Sequence, residues 1–320
     1  MLRTWLSGRW ALGAWVAGGL LASSCSATAP PSAPQTNAVR LVRNQWDASH
    51  LDVAIAQQLL TQQLGMNVQV TDADEFAQWP AISSGTQDAC LEVWPSGHVT
   101  DIQQYVDTGK IENGGALGPL GKISWYVPTY MLIANPALAT YEAYRDPVNT
   151  TPLATAETGT KGRLLSGDPS WTSYDKEIIA ALGLNLAVVY AGNEDNELAE
   201  LDTVYQRRGP ILLYLWTPHV ALAKYDLTAV ALPPYTPACY AKIASGTVDC
   251  DYPPDQLFKI FWPGFADVNP RAYAFLKSFR LTTEDQISLL SLLYNQKLSP
   301  DQAATEWIGS NQSLWQTWLP

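Results

Sequence analysis

Short apolar runs alternate with longer amphipathic segments along the first third of the chain. The runs have the length and composition of strands, whereas the segments between them carry the spacing and the end signals of helices. The predicted elements are a strand at 39–42, a helix from Ser49 to Gly65, a strand at 67–70, a helix from Asp74 to just before Gly85, and a strand at 89–93. Repeated units of strand, helix and strand predict a mostly parallel sheet.

A second series of the same kind follows, and a helical tail comes after it. The elements of the series are a strand at 125–133, a strand at 162–165, a helix at 174–182, a strand at 187–190, an acidic helix at 193–208 and a strand at 211–216. The tail contains three predicted helices, near 270–279, 282–295 and 299–311, and Ser299-Pro300 marks the start of the last one.

Two α/β series with a helical tail predict two lobes whose chain crosses between them twice. We place the crossings near 125–130 and 218–226. The predicted boundaries are therefore 39–127 plus 222–320 for lobe 1 and 128–221 for lobe 2. A single domain is the alternative.

Residues 1–24 have the pattern of a secretory signal peptide. Arg3 and Arg9 precede or flank an apolar run that is too short to be a permanent membrane span. The small residues before Cys25 resemble the lipobox of bacterial lipoproteins, which implies a lipidated cysteine at the mature N-terminus. Residues 25–38 are small, polar and Pro-rich, and they predict a tether between the membrane and the domain. Free secretion with an unmodified or removed Cys25 is the alternative.

The acidic balance of the chain argues against nucleic acid as a partner. Lys and Arg number 19 and Asp and Glu number 30, which gives a net charge of −11 at pH 7. Removal of residues 1–24 takes away two arginines and no acid, so the mature chain would carry −13. A protein that binds nucleic acid needs a basic face.

The four cysteines have different predicted roles. Cys239 and Cys250 lie in a Pro-rich loop, and an exported protein can keep a disulfide there. Cys90 lies within an apolar strand and is predicted to be a buried, inert thiol. No spacing of Cys or His predicts a metal site.

Three tryptophans stand where predicted strands and helices meet a cleft. Trp94 and Trp216 each follow a strand, and Trp171 lies in a Gly/Pro turn that enters a helix. Ligands of α/β proteins bind at such strand ends. A quaternary ammonium group has no N–H to donate, and each aromatic ring face attracts it by about 0.5–2 kcal/mol. These residues therefore predict an aromatic cage for a methylated cation, with core packing as the alternative at each position.

Groups that can bind a carboxylate lie beside this predicted cage. The backbone N–H groups of Thr172 and Ser173 open the helix after Trp171 and can bind an anion. His98 and His219 each follow a cage tryptophan and can donate a further hydrogen bond. The alternative for both histidines is an ordinary loop residue with satisfied hydrogen bonds.

The succession of these motifs resembles a known family over roughly residues 39–319. The quoted stretches look like the substrate-binding proteins of glycine betaine, proline betaine and choline ABC importers, OpuAC-like proteins: DACLEVWPSGH, WYVPTY, GDPSWTSYD, LYLWTPH, YDLTAV and SPDQAATEWIGSNQSLWQTWL. The resemblance implies a two-lobed periplasmic-binding-protein fold of type II. It also implies a monomeric, extracytoplasmic binding protein that delivers its ligand to an ABC permease.

Within that resemblance, the cage corresponds to Trp94, Trp171 and Trp216. His98 and the amides of Thr172 and Ser173 correspond to the ligands of the carboxylate. We expect glycine betaine or proline betaine on this basis.

Choline-binding members of the family instead use a Trp near the first strand with an acid beside it, which points here to Trp46 and Asp47. Glu92, on the strand before Trp94, is a second candidate counterion. Tyr126 and Tyr130 alternate along the predicted strand at 125–133, so either one is a candidate to close the cage.

Two other classes of function stay open as alternatives. Aromatic platforms also bind sugars, although a sugar site would need several Asp, Asn and Arg near the tryptophans. The chain has three histidines and none of the HExxH, GxSxG, P-loop or GxGxxG motifs. We therefore predict no enzyme, no catalytic residue and no cofactor, with a hydrolase as the weaker alternative.

Overall fold

A nine-stranded mixed sheet runs through residues 38–320, the part of the chain that this computed structural model describes. The predicted signal peptide, Cys25 and the tether up to residue 37 lie outside the described residues. The strands are β1 (Val39–Arg43), β2 (Val68–Asp72), β3 (Ala89–Val93), β4 (Glu112–Pro128), β5 (Gly162–Ser166), β6 (Leu186–Tyr190), β7 (Leu213–Thr217), β8 (Leu227–Ala229) and β9 (Pro254–Phe261).

Fourteen α-helices, several of them a single turn, accompany this sheet in the described residues. They are α1 (Asp47–Leu64), α2 (Gln78–Ser83), α3 (Val99–Asp101), α4 (Thr129–Ala134), α5 (Pro147–Thr150), α6 (Asp175–Leu182), α7 (Glu194–Gln206), α8 (Val220–Lys224), α9 (Pro237–Tyr240), α10 (Phe265–Val268), α11 (Pro270–Ser278), α12 (Thr283–Gln296), α13 (Pro300–Ser310) and α14 (Gln312–Trp315). None of the helices in residues 38–320 has the length and apolar character needed to cross a membrane.

The sheet consists of two parallel groups joined by antiparallel strands. Its order is β2-β1-β3-β9-β4-β7-β5-β6, and β8 pairs with β4. The groups β2-β1-β3 and β7-β5-β6 are parallel, as the alternation of strand and helix predicted. Strands β9 and β4 run antiparallel between them, and β4 pairs with β9 along one part and with β7 and β8 along the other. The fold class is the predicted α/β binding-protein type, while the lobe boundaries stay a prediction.

Strands β4 and β9 carry the largest errors of the sequence prediction. The first part of β4 is rich in Gly and Pro and was not predicted to be a strand, because it lacks an alternation of apolar and polar residues. It nevertheless pairs with β9 through two register shifts. The predicted strand at 125–133 is wrong after Pro128, where α4 begins. Proline has no N–H for the strand ladder, and the N–H of Thr129 turns to the carbonyl of Asp226 at 2.9 Å.

Helix α1 begins two residues earlier than its predicted cap. Trp46, in an extended conformation, is the N-cap residue, and the backbone N–H of Asp47 is bound by the carboxylate of Glu194 at 3.0 Å. The hydroxyl of Ser49, the predicted cap, accepts a hydrogen bond from the N–H of Asn44 at 3.0 Å. The helix ends as predicted at Gly65, whose φ of 66° is left-handed.

The three helices of the predicted tail are present as α11, α12 and α13. The second and third begin with capping boxes, Thr282 with Asp285 and Ser299 with Gln302. The tail tryptophans are buried packing residues: Trp307, Trp315 and Trp318.

The predicted disulfide between Cys239 and Cys250 is present in the structure, and Cys90 is a buried free thiol. The loop that the disulfide closes, together with Tyr252 just after it, lies against the rest of the domain on two sides. The Tyr240 hydroxyl donates to the carbonyl of Ser96 at 3.0 Å, and the Tyr252 hydroxyl donates to Asp175 at 2.8 Å. Ser96 follows β3 and Asp175 follows β5, so this region contacts both parallel groups of the sheet.

A candidate ligand site lined by tryptophans

A cavity lies among the ends of the parallel strands, and the empty space within it and at its open mouth amounts to about 360 Å³. Its lining is mostly aromatic: Trp46, Trp94, Trp171, Tyr214 and Trp216, together with Glu75, Gly97, Ile123 and Thr172. Each of the four tryptophans comes from the carboxyl end of a different strand, namely β1, β3, β5 and β7. Two of these strands belong to each parallel group, so both halves of the sheet supply walls to the cavity.

Trp216 stands at a steep angle to the other two tryptophans of the predicted cage. Trp216 meets Trp171 at 90° with ring centroids 5.0 Å apart, and it meets Trp94 at 77° with centroids 6.5 Å apart. Tyr214 lies 6.2 Å from both Trp171 and Trp216. Walls in several orientations can present π faces to one cation from several sides. The structure thus brings together the three tryptophans predicted for the cage and Trp46, the residue predicted for a choline-type site, and it adds Tyr214.

Two glycines make room for the rings of this cage. A Cβ atom at Gly167 would lie 2.3 Å from the ring of Trp171, and one at Gly121 would lie 2.4 Å from the ring of Trp94. No real Cβ approaches a ring atom so closely. The indole positions therefore depend on the absence of a side chain at both glycines.

Buried carboxyl groups lie behind the cage rings. The Nε1–H of Trp94 donates to Glu92 Oε1 at 2.9 Å, and Glu92 is only 1% exposed. Burial raises the pKa of Glu92 to about 7, although interactions with the indoles of Trp94 and Trp46 and with Asp52 offset part of the rise. Burial and the neighbouring Glu92 raise the pKa of Asp52 well above its ordinary value.

A second group of buried acids lies on the side of β5 and β7. Glu197 is 0% exposed, neither of its carboxyl oxygens has a hydrogen-bond partner among the described residues, and burial raises its pKa well above the ordinary range. Asp175 accepts hydrogen bonds from Trp125 and Tyr252, and burial raises its pKa to about 6. Acids therefore lie on both sides of the cage, and burial raises the pKa of each of them.

His98 lies behind the lining rather than in it. Its Nε2 is 2.7 Å from Glu75 Oε2, and its Nδ1 is 3.0 Å from Asp101 Oδ2. Burial lowers the pKa of His98, but the hydrogen bonds and charges of Asp101 and Glu75 outweigh burial and raise it to about 9. At neutral pH the ring is therefore an imidazolium that donates to both carboxylates.

Several other predicted site residues do not line the cavity. Tyr130 is in α4, where its hydroxyl donates to the carbonyl of Gly209 at 2.6 Å, because the strand it was assigned to ends at Pro128. Asp47 accepts a hydrogen bond from Tyr294, and Glu92 lies beneath Trp94. Thr172 lines the cavity but its neighbour Ser173 does not.

His219 also lies outside the lining of the cavity. Its Nδ1 accepts the N–H of Ala221 at 3.1 Å and caps α8, and its ring meets that of Trp216 at 86° with centroids 4.5 Å apart. Its Nε2 lies 3.1 Å from Glu194 Oε1, although the angle between them falls outside hydrogen-bond geometry. His219 thus supports a cage ring from behind.

Four lining residues were missed by the sequence reasoning: Glu75, Gly97, Ile123 and Tyr214. Tyr214 could have been found, because it lies two residues before Trp216 on β7 and so shares a face of that strand. Ile123 lies in β4 directly opposite Trp216, which only the pairing of the strands reveals. Glu75 had no local signal beyond its place beside a predicted helix start.

The fold is similar to solved structures of quaternary-amine-binding proteins. A lactococcal OpuAC structure in its closed-liganded conformation, complexed with glycine betaine, superimposes with a TM-score of 0.70 at 21% identity, over 88% of this chain and 99% of that one. An ABC-transporter choline-binding protein in complex with choline superimposes with a TM-score of 0.70 at 14% identity, over 90% of this chain and 94% of that one. At these identities the similarity shows the fold.

The family model for the substrate-binding domain of an ABC-type glycine betaine transport system matches residues 37–310. This chain therefore belongs to that family of ABC-transporter substrate-binding proteins. Among characterised relatives, the trimethylamine N-oxide-binding protein of Pelagibacter ubique (strain HTCC1062) is 26% identical over 260 residues, which cover 79% of this chain and 81% of the relative. The family is one of solute-binding domains rather than enzymes.

Proposed function

We propose that this protein captures a small methylated ammonium compound in the tryptophan cage and delivers it to an ABC permease. The observation that carries the proposal is the convergence of four tryptophans from four strand ends on one cavity. Glycine betaine, proline betaine, choline and trimethylamine N-oxide all present a methylated nitrogen of the size that such a cage takes. The names of the similar proteins support this class of ligand.

The chemistry of the lining suits a cation that cannot donate hydrogen bonds. Ring faces attract it through their quadrupole, with about 0.5–2 kcal/mol for each face, and methyl burial adds about 25 cal/mol per Å². Glu92, which lies behind Trp94 and whose pKa is raised to about 7, can ionise near neutral pH and then adds attraction from outside the cage. A sugar site would need many polar partners, and the charged or hydroxyl-bearing side chains of this lining, apart from Tyr214, are those of Glu75 and Thr172.

The arrangement of the walls suggests how binding is communicated. Trp46 and Trp94 come from one parallel group, and Trp171 and Trp216 come from the other. A ligand held by all four rings would fix the two groups relative to each other. We propose that the two groups belong to the two predicted lobes and that their closure on the ligand is the state the permease recognises.

We further propose that the protein acts as a monomer on the extracytoplasmic face of the membrane, held there by a lipid on Cys25. This rests on the apolar segment of residues 1–24 and the small residues before Cys25. Substitution Cys25→Ser should move the protein from the membrane fraction to the soluble extracytoplasmic fraction. Unchanged fractionation of the variant would show that another feature holds the protein.

The cage proposal is tested by titrating the purified domain with matched ligands. Choline and tetramethylammonium should bind and quench or shift tryptophan fluorescence. The uncharged isostere of choline, with carbon in place of nitrogen, should bind at least about tenfold more weakly, because it keeps the methyl burial and loses the cation–π attraction. Maltose serves as the control for a sugar site. Equal affinity for choline and its isostere would contradict the cage, and binding of maltose alone would replace it by a sugar site.

A further inference from the structure

Glu75 lies between the cavity and the groups predicted to bind a ligand's carboxylate. It lines the cavity and is 8% exposed. Its Oε2 is 2.7 Å from His98 Nε2 and 3.4 Å from the backbone nitrogen of Thr172. These are two of the groups that the family resemblance assigns to the carboxylate of a bound betaine. In this chain a carboxylate of the protein itself already occupies them.

We propose that Glu75 fills the anion subsite of the cavity, so that the ligand is a methylated ammonium compound that carries no carboxylate. This inference rests on the proposed function, because it specifies the ligand of the same cage. It also makes Glu75 a residue that determines specificity within that cage.

The positive charge that a ligand carboxylate would need is already used. His98 donates through Nε2 to Glu75 and through Nδ1 to Asp101, so both of its N–H groups are occupied. The lining contains no Lys or Arg among the described residues. A betaine carboxylate placed here would therefore meet the negative charge of Glu75 without a free cation to balance it.

The position of Glu75 suits a ligand whose polar end is not an anion. Its Oε1 has no hydrogen-bond partner in residues 38–320, and a hydroxyl such as that of choline can donate to a carboxylate oxygen. A carboxylate has no proton to donate and would be repelled. At a separation of a few ångströms near a protein surface, repulsion between like charges weakens binding on the order of 100-fold.

The experiment is calorimetric titration of the wild type and two variants with choline, glycine betaine and tetramethylammonium. In the wild type, choline should bind at least about tenfold more tightly than glycine betaine. In Glu75→Gln the ratio of the two dissociation constants should fall at least tenfold, because the repulsive charge is gone. Tetramethylammonium reports the cage alone, since it has no polar end.

Glu306→Gln is the matched control. It removes one negative charge from an exposed position of α13 that does not line the cavity, and it should leave the ratio unchanged. Glu75→Asp keeps the charge and should retain the preference for choline. That result would show that a change of side chain at position 75 does not alter the ratio merely by disturbing the fold. Thermal unfolding of each variant accompanies the titrations.

The outcomes separate this inference from the proposed function. Wild-type protein that binds glycine betaine as tightly as choline would overturn the role of Glu75 and leave the cage intact. A ratio of the two dissociation constants in Glu75→Gln equal to that in Glu306→Gln would likewise overturn the role of Glu75 and leave the cage intact. If neither choline, glycine betaine nor tetramethylammonium bound, the cage itself would be wrong and the inference would fall with it.

Discussion

Trp171 and Trp216 meet at a right angle with ring centroids 5.0 Å apart, although 45 residues separate them along the chain. Trp171 follows β5 and Trp216 ends β7, and those two strands are parallel neighbours in the sheet. Their adjacency is therefore a direct result of the strand order. The pair forms one corner of the cavity, and its geometry depends on what lies behind each ring.

Gly167→Ala should weaken both the ligand affinity and the fold. The added Cβ would lie 2.3 Å from the Trp171 ring, so the ring must move away from its place in the corner. We expect at least a tenfold loss of choline affinity and a loss of about 1–3 kcal/mol in the free energy of unfolding. Titration and thermal unfolding measure the two effects separately.

The control for this substitution is Gly309→Ala in α13. A Cβ there meets nothing within 4 Å, so the change should leave affinity unchanged and stabilise the helix slightly. An affinity in Gly167→Ala equal to that of this control would mean that Trp171 can move without loss and is no part of the cage.

Replacement of a single cage tryptophan should weaken ligand binding more when the ring is removed than when another aromatic ring takes its place. Trp94→Ala, Trp171→Ala and Trp216→Ala should each weaken choline binding by about 1–3 kcal/mol, because a ring face and apolar burial are both lost. The corresponding Phe variants should lose less, since a ring remains. The matched control is Trp262→Ala, which should leave choline affinity unchanged, because Trp262 packs against Gly85 and Gly264 outside the cavity. Wild-type affinity in folded Trp216→Ala would make this ring a packing residue.

Sequence patterns were sufficient to predict a residue's role where that role depends only on the strand or helix to which the residue belongs. Trp94 and Trp216 were identified from their positions at strand ends, and both line the cavity. The stop of α1 at Gly65 is likewise local, since glycine takes the left-handed conformation without strain. The parallel pairing within each group followed from the alternation of strand and helix.

The remaining errors concern contacts between distant segments. His98 has the right type and spacing for a ligand group, but Glu75, 23 residues earlier, binds its Nε2 and separates it from the cavity. Tyr130 was placed on a strand that Pro128 ends. Neither fact can be read from local patterns, because each depends on where another element lies in the fold.

The pairing of His98 with Glu75 and Asp101 predicts a loss of stability at alkaline pH. The pKa of His98 is raised from an ordinary value of 6.5 to about 9. A raised pKa in the folded state contributes stability that is fully present below pH 6.5 and is lost as the pH rises through 9. The free energy of unfolding should therefore fall by on the order of 3 kcal/mol between these values on account of this residue.

Chemical denaturation from pH 6 to pH 10 measures this loss. His98→Gln should be less stable than the wild type at pH 6 and should approach it at pH 10. His50→Gln is the control, because burial lowers the pKa of His50 and its contribution has the opposite sign. A wild-type profile that is flat across this range relative to His98→Gln would contradict the ion pair.

The last prediction concerns the pH dependence of binding and the carboxyl group beneath Trp94. Burial raises the pKa of Glu92 to about 7 from an ordinary value of 4.5, and its Oε1 accepts the indole N–H of Trp94. Near neutral pH the group is therefore partly protonated when the cavity is empty. A bound cation favours the ionised form, so affinity for choline should rise as the pH increases from 6 to 8.

Glu92→Gln separates this charge from the support that Glu92 gives to the ring. The amide oxygen can still accept the Trp94 N–H, but it carries no charge at any pH. We expect the variant to bind choline several-fold more weakly than the wild type at pH 8 and about equally at pH 6. Asp47→Asn is the control, because burial also raises the pKa of Asp47 to about 7 while its side chain binds Tyr294 and does not line the cavity. If Asp47→Asn, rather than Glu92→Gln, removed the rise in affinity, the charge that favours the cation would lie beside Trp46 instead of beneath Trp94.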